Sequence, residues 1–172
     1  KYPFMPHEVR ETSNLIYTAD LDGDKIDEVV EFIRKHDNEP FRWHTTISLL
    51  SNQLTMIDQI HFTGIASHAF FLDWNRDGKL EIFVNYTRND SMFVSCIDSQ
   101  GRKSFTFFLT DGSPRREDDS YLGWDPLVRD LHLVDTDQDG TQELVTVIFT
   151  AFARQPRGVL VHSCLLYTSP SP

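Results

Sequence analysis

Cysteine is scarce in this sequence: two residues in 172, Cys96 and Cys164. Two thiols make neither a disulfide framework nor a structural zinc site. Long apolar runs are missing as well. No stretch approaches 18 consecutive apolar residues, so no transmembrane helix is written here. Basic residues are outnumbered, with 16 Lys and Arg against 26 Asp and Glu and a formal net charge of -10. Phosphate contacts need clustered Lys and Arg, so this balance argues against nucleic acid as a main partner. It argues equally against an anionic membrane surface. The common catalytic signatures are absent: no G-x-S-x-G, no P-loop and no dinucleotide fingerprint. Seven histidines are scattered as His7, His36, His44, His61, His68, His132 and His162. None forms H-E-x-x-H or another close ligand pair.

What is present is a repeat, and internal repeats are sought first. Three ten-residue windows share one pattern: D-L-D-G-D-K-I-D-E-V from Asp20, D-W-N-R-D-G-K-L-E-I from Asp73 and D-T-D-Q-D-G-T-Q-E-L from Asp135. Each carries oxygen side chains at positions 1, 3, 5 and 9 and an aliphatic residue at position 10. The windows hold 12 of the 26 acidic residues. A polar turn accounts for Asp and Gly in a loop. It does not account for alternate carboxylates followed by Glu at a fixed offset, three times over.

The spacing suits calcium. Ca²⁺ takes six to eight oxygens from flexible donors, whereas Mg²⁺ prefers a smaller octahedron that keeps its waters. Alternate residues of a tight loop point inward, so positions 1, 3 and 5 converge. Position 7 offers its carbonyl, and the carboxylate at position 9 closes the shell. Gly at position 6, Gly78 and Gly140, permits the sharp turn. Lys25 stands there in the first window, and the neutral Asn75 makes the second site one charge weaker.

An EF-hand opens in a similar way but needs a bidentate Glu at position 12 and flanking helices. Position 12 is Glu31, Val84 and Thr146 in turn, so one window in three fits. The flanks are strand-like. Before the loops stand Leu15–Tyr17, Ala69–Leu72 and Leu131–Val134. After them stand Val29–Ile33, Ile82–Tyr86 and Leu144–Phe149, rich in β-branched and aromatic residues. Each loop is thus expected to be a hairpin turn. Two more strands fit in each interval: Thr45–Leu50 and Leu54–Ile60, joined by Ser51–Gln53, then Met92–Ile97 and Phe105–Leu109, joined around Asp98–Gly101. Four antiparallel strands per repeat, with spacings of 53 and 62 residues, read as propeller blades.

The windows resemble the calcium loops of FG-GAP repeats, also described as VCBS-type repeats. These build the β-propeller blades of integrin α subunits and of many bacterial envelope proteins. The family pattern D-x-[DN]-x-D-G-x-x-[DE]-[LIV] falls on Asp20, Asp22, Asp24 and Glu28; on Asp73, Asn75, Asp77 and Glu81; and on Asp135, Asp137, Asp139 and Glu143. The resemblance implies carbonyl ligation by Ile26, Lys79 and Thr141. The Phe-Gly and Gly-Ala-Pro signatures that name the family are absent, which leans toward the broader bacterial type. The fold class expected is all-β, a partial β-propeller of four-stranded antiparallel blades with calcium-binding hairpin loops.

Closure needs about four to eight blades, so the chain is expected to be part of a longer protein. The reading divides it into residues 1–13 (end of a preceding blade or linker), a blade at 14–62, a blade at 63–110, an inter-blade loop at 111–126 and the first half of a further blade at 127–163. The tail at 164–172 resembles a translated sequencing adapter and is set aside. The long polar connection from Asp111 to Asp130 carries Arg115, Arg116, Tyr121 and Trp124, residues suited to a glycan or protein contact. Cys96 reads as a small buried hydrophobe.

The function expected is a non-catalytic calcium-binding module, extracellular, on the cell surface or periplasmic. It would act in ligand binding, adhesion or sensing. Its partners would be a protein or glycan ligand and the remaining blades of the same chain. The alternatives are the propeller part of a polysaccharide lyase or hydrolase, and the sensor ectodomain of a membrane signalling protein.

Overall fold

The computed structural model describes residues 14–37, 42–89, 91–110, 126–150 and 158–162. Outside them lie residues 1–13 with His7, residues 111–125 with Arg115, Arg116, Tyr121 and Trp124, and the tail 163–172 with Cys164.

The described residues form eleven strands and no helix. The first sheet is β1 (Asn14–Ala19), β2 (Glu28–Asp37), β3 (Arg42–Leu50) and β4 (Met56–Thr63). The second is β5 (Ile65–Leu72), β6 (Glu81–Arg88), β7 (Ser91–Ile97) and β8 (Lys103–Thr110). The third is β9 (Pro126–Val134), β10 (Glu143–Thr150) and β11 (Gly158–His162). Each sheet is an antiparallel meander in which strands neighbouring in sequence are paired. The all-β reading with four-stranded antiparallel sheets therefore holds. Among the described residues the sheets form an open stack and do not close into a ring.

Sequence boundaries are corrected in two places. The polar connection expected from Asp111 to Asp130 ends earlier, because β9 starts at Pro126. Leu54 was expected to begin a strand, but β4 starts at Met56. Leu54 sits in a turn at φ 59, donating its N–H to the Ser51 carbonyl, while Ser51 donates to Thr55. The Ser51 hydroxyl accepts from Gln53 and Thr55 and locks that turn. Apolar character at Leu54 is outvoted by local side-chain-to-backbone bonding.

Packing follows one rule through all three sheets. Numbering onward from each window, odd positions 11 and 13 face the following sheet, and even positions 10, 12 and 14 face the preceding one. Val30 and Phe32 of β2 thus join a core with Ile82, Val84 and Tyr86 of β6. Phe83 of β6 joins a second core with Leu144 and Ile148 of β10. Period-two alternation in a strand makes this possible. The middle sheet is covered on both faces, which is why β6 is buried at six successive positions from Glu81 to Tyr86. Its neighbours fill the interfaces with aromatic contacts such as Tyr17 against Phe71, ring centres 5.8 Å apart.

Candidate metal centres

The three windows fall on equivalent links: β1 to β2, β5 to β6 and β9 to β10. Antiparallel pairing runs up to the edge of each, with Ala19 opposite Glu28, Leu72 opposite Glu81 and Val134 opposite Glu143. The loops are therefore hairpin turns clamped at both ends.

Within each loop side-chain oxygens make the same three bonds to the backbone, although Asp20 Oδ1 accepts from position 4 where Asp73 and Asp135 Oδ1 accept from position 5. Asp20, Asp73 and Asp135 accept through Oδ2 from the N–H at position 6: Lys25 at 2.8 Å, Gly78 at 3.1 Å and Gly140 at 3.0 Å. Asp22, Asn75 and Asp137 accept from position 5, at 3.1, 2.9 and 3.2 Å. Asp24, Asp77 and Asp139 accept from position 7, which is Ile26, Lys79 or Thr141, at 2.7, 2.9 and 2.7 Å. Successive Asx turns of this type bend the chain in small steps.

Two positions in every loop take left-handed backbone. Position 4 is Gly23, Arg76 or Gln138, with φ of 83, 59 and 63. Position 6 is Lys25, Gly78 or Gly140, with φ of 71, 85 and 89. Each loop places glycine at one and a bulkier residue at the other. The first loop therefore reaches the common geometry without a position-6 glycine. Its glycine is moved to position 4, and Lys25 carries a left-handed cost of about 1–2 kcal/mol.

The position-9 glutamates lie under the loops. Glu28, Glu81 and Glu143 are buried. Each accepts through Oε2 from the N–H of position 2: Leu21 at 2.9 Å, Trp74 at 2.8 Å and Thr136 at 2.7 Å. Thr136 adds its hydroxyl at 2.7 Å. Burial pushes the Glu28 and Glu81 carboxyls above the ordinary range; the backbone bonds oppose this, and the neighbouring loop aspartates add to it. A cation held among these oxygens would offset both the desolvation and the repulsion.

In two loops the acidic atoms converge. One oxygen each of Asp20, Asp22 and Glu28 lies within 4.8 Å of the others, and so do those of Asp135, Asp137 and Glu143. Positions 1, 3 and 9 are thus brought together, while Asp24 and Asp139 at position 5 stand outside these triads. In the second loop Asn75 replaces one acid and turns its amide nitrogen to Asp77 Oδ2 at 3.1 Å. All-oxygen, carboxylate-rich donor sets suit a hard divalent cation. The residues present at the first and third loops therefore fit a hard divalent cation.

The sequence reading missed the contacts between loops. Leu80 N–H donates to the Leu21 carbonyl at 3.3 Å. A Cβ on Gly23 would lie 2.9 Å from the Gly78 carbonyl. Arg76 Nε reaches Gln142 Oε1 at 3.3 Å. The three loops therefore line one end of the stack. Repeat spacing alone carried no signal for these contacts.

The histidines among the described residues occupy strand positions. His61 meets Thr46 at 3.1 Å, and His132 meets Asp130 at 2.9 Å. His68 is held below its ordinary value by burial and by Arg34, and it lines a cavity of about 230 Å³ with Val128, Arg129 and Phe149. No helix is long and apolar enough to cross a membrane among the described residues. No family model, curated protein or solved structure matches the chain.

Proposed function

We propose that this chain is a calcium-binding module built of propeller-type blades. It is non-catalytic and acts outside the cytoplasm in binding a protein or glycan ligand. The observation that carries the reading is the threefold recurrence of one loop geometry at one end of three stacked antiparallel sheets, with two acidic triads converging within 4.8 Å. The alternating carboxylates, the buried glutamate beneath them and the all-oxygen donor set support calcium over a softer metal. Packing of the middle sheet on both faces supports a blade rather than an isolated sheet. Extracellular modules hold calcium at about 10⁻⁴–10⁻³ M, which favours a compartment rich in that ion. In this role the ions brace the hairpins, and the stacked sheets present the binding surface.

Terbium luminescence tests the reading. Trp74 occupies position 2 of the second loop, so its indole is placed to sensitise a lanthanide held there. Sensitised emission that calcium displaces, and that Trp74→Phe removes, is the expected result. Emission that calcium leaves unchanged would count against it.

A further inference from the structure

The cavity of about 230 Å³ lies where the second and third sheets meet, walled by His68 of β5, Val128 and Arg129 of β9 and Phe149 of β10. His68 and Arg129 make no hydrogen bond to another described residue. Arg129 carries its guanidinium over the Phe149 ring, 5.8 Å from the centroid. That contact uses the face of the guanidinium and leaves its in-plane N–H fork open. A repeated irregularity positions these groups. Ser67 in β5 and Arg129 in β9 have no partner across the ladder, and each stands six residues before the first Asp of its window. They are β-bulges at one repeat position, and a bulge re-aims the side chains beside it. At the first seam Arg34 of β2 ties down the bulge, donating through Nε to the Ala66 carbonyl at 2.7 Å and through Nη2 to the Ser67 carbonyl at 3.2 Å. Its counterpart in the second repeat is Thr87, which makes no such bond to β9, and the cavity lies beside the β9 bulge.

We propose that this cavity binds a small organic carboxylate, its oxygens held by the Arg129 fork and the His68 ring N–H and its carbon body set against Val128 and Phe149. The guanidinium fork matches a carboxylate in a bidentate manner. A neutral imidazole still donates through one ring nitrogen. No acidic side chain lines the cavity among the described residues. Asp130, next along β9, is engaged by His132 at 2.9 Å. The acidic loops begin six residues farther on, about 20 Å along the strand. The Debye length is about 8 Å at physiological salt, so an anion here escapes the repulsion of a chain whose formal net charge is -10. Two apolar walls favour a monoanion with a carbon body over an inorganic anion. The volume is below the about 300–1,000 Å³ of drug-sized sites, which sets the ligand at a few carbons or a single ring. The inference stands apart from the calcium reading, at the other end of the strands.

Nuclear magnetic resonance of the intact chain, titrated with butanoate in chelator, tests it; the chelator keeps metal out of the measurement. The Arg129 Nε–H and His68 ring signals are expected to shift and saturate together. Butanamide, of the same size but neutral, should leave both unmoved. Arg129→Gln should weaken butanoate about tenfold or more. Arg88→Gln, which removes a cation at the end of β6 outside the cavity, should bind as the wild type does. Both arginines are exposed, so both variants should keep the native circular dichroism. His68→Phe keeps an aromatic ring, removes the N–H and should weaken binding through the second contact. Butanamide that binds as well as butanoate would overturn the proposal. So would unchanged affinity in Arg129→Gln, shifts that never saturate, or inorganic phosphate that binds more tightly than butanoate, which would mark the cavity as a general anion site.

Discussion

Replacing Glu28 with Gln should change the sign of its effect with calcium. The Glu28 carboxylate lies within 4.8 Å of those of Asp20 and Asp22 and is buried beneath the loop. Unit charges at that distance repel by about 1 kcal/mol in water and about 3.5 kcal/mol at an effective dielectric near 20. Asp22 is exposed, so the water-like figure applies, giving about 2 kcal/mol over the two pairs. Gln keeps an oxygen for the Leu21 N–H but exchanges a charged hydrogen bond for a neutral one, a loss of about 1 kcal/mol. In chelator Glu28→Gln should therefore be about 1 kcal/mol more stable than wild type, a Tm rise of about 2–4 °C for a chain of this size. With 10 mM calcium and a Kd of about 10⁻⁴–10⁻³ M, each intact loop adds about 1.4–2.7 kcal/mol by linkage. The variant forfeits one such share and should fall about 0.4–1.7 kcal/mol below wild type. Paired thermal melts with and without chelator read both numbers. The same sign of ΔTm in both conditions would refute the reasoning.

Other outcomes follow from the same geometry. Because burial raises the Glu28 and Glu81 carboxyls, the folded metal-free chain holds more protons than the unfolded one just above the ordinary carboxylate value. Their contribution to stability is thus present at low pH and lost as pH rises through that window; melts in chelator should show the loss and melts in saturating calcium should not. Gly64 takes φ +126, and a Cβ there would overlap the Thr87 carbonyl, so Gly64→Ala should cost about 3 kcal/mol in urea unfolding. Gly140 has open space around it, so Gly140→Ala should cost only the left-handed strain of about 1–2 kcal/mol. Burial raises the Cys96 thiol well above its ordinary value, so alkylation mapped by mass spectrometry should reach Cys96 only at the rate of unfolding.

Much of the fold was legible because two periodicities agree. Alternating oxygens mark the loops, and β-branched runs such as Leu144–Phe149 mark the strands on either side. Antiparallel hairpins then follow from loop length. The turn at Leu54 was not legible, since its geometry depends on the Ser51 hydroxyl rather than on hydrophobicity. Lys25 stands where the other two windows have glycine, and how the first loop accommodates it emerges only when Gly23 is seen to take the other left-handed position. The candidate sites were legible as residue types, whereas the burial of Glu28, Glu81 and Glu143 shows only once each loop folds back over its glutamate, with the position-2 N–H donating to Oε2. Contacts such as Leu80 to Leu21 are tertiary and leave no trace in local spacing.

Isothermal titration of the chain with calcium tests the central claim most directly. Saturable binding of three ions per chain is expected, two tighter at the first and third loops and one weaker at the second, where Asn75 removes a charge. Chelator should reverse the accompanying rise in Tm. No binding heat, together with an unchanged Tm at about 10 mM calcium, ten or more times the Kd expected of such loops, would contradict it.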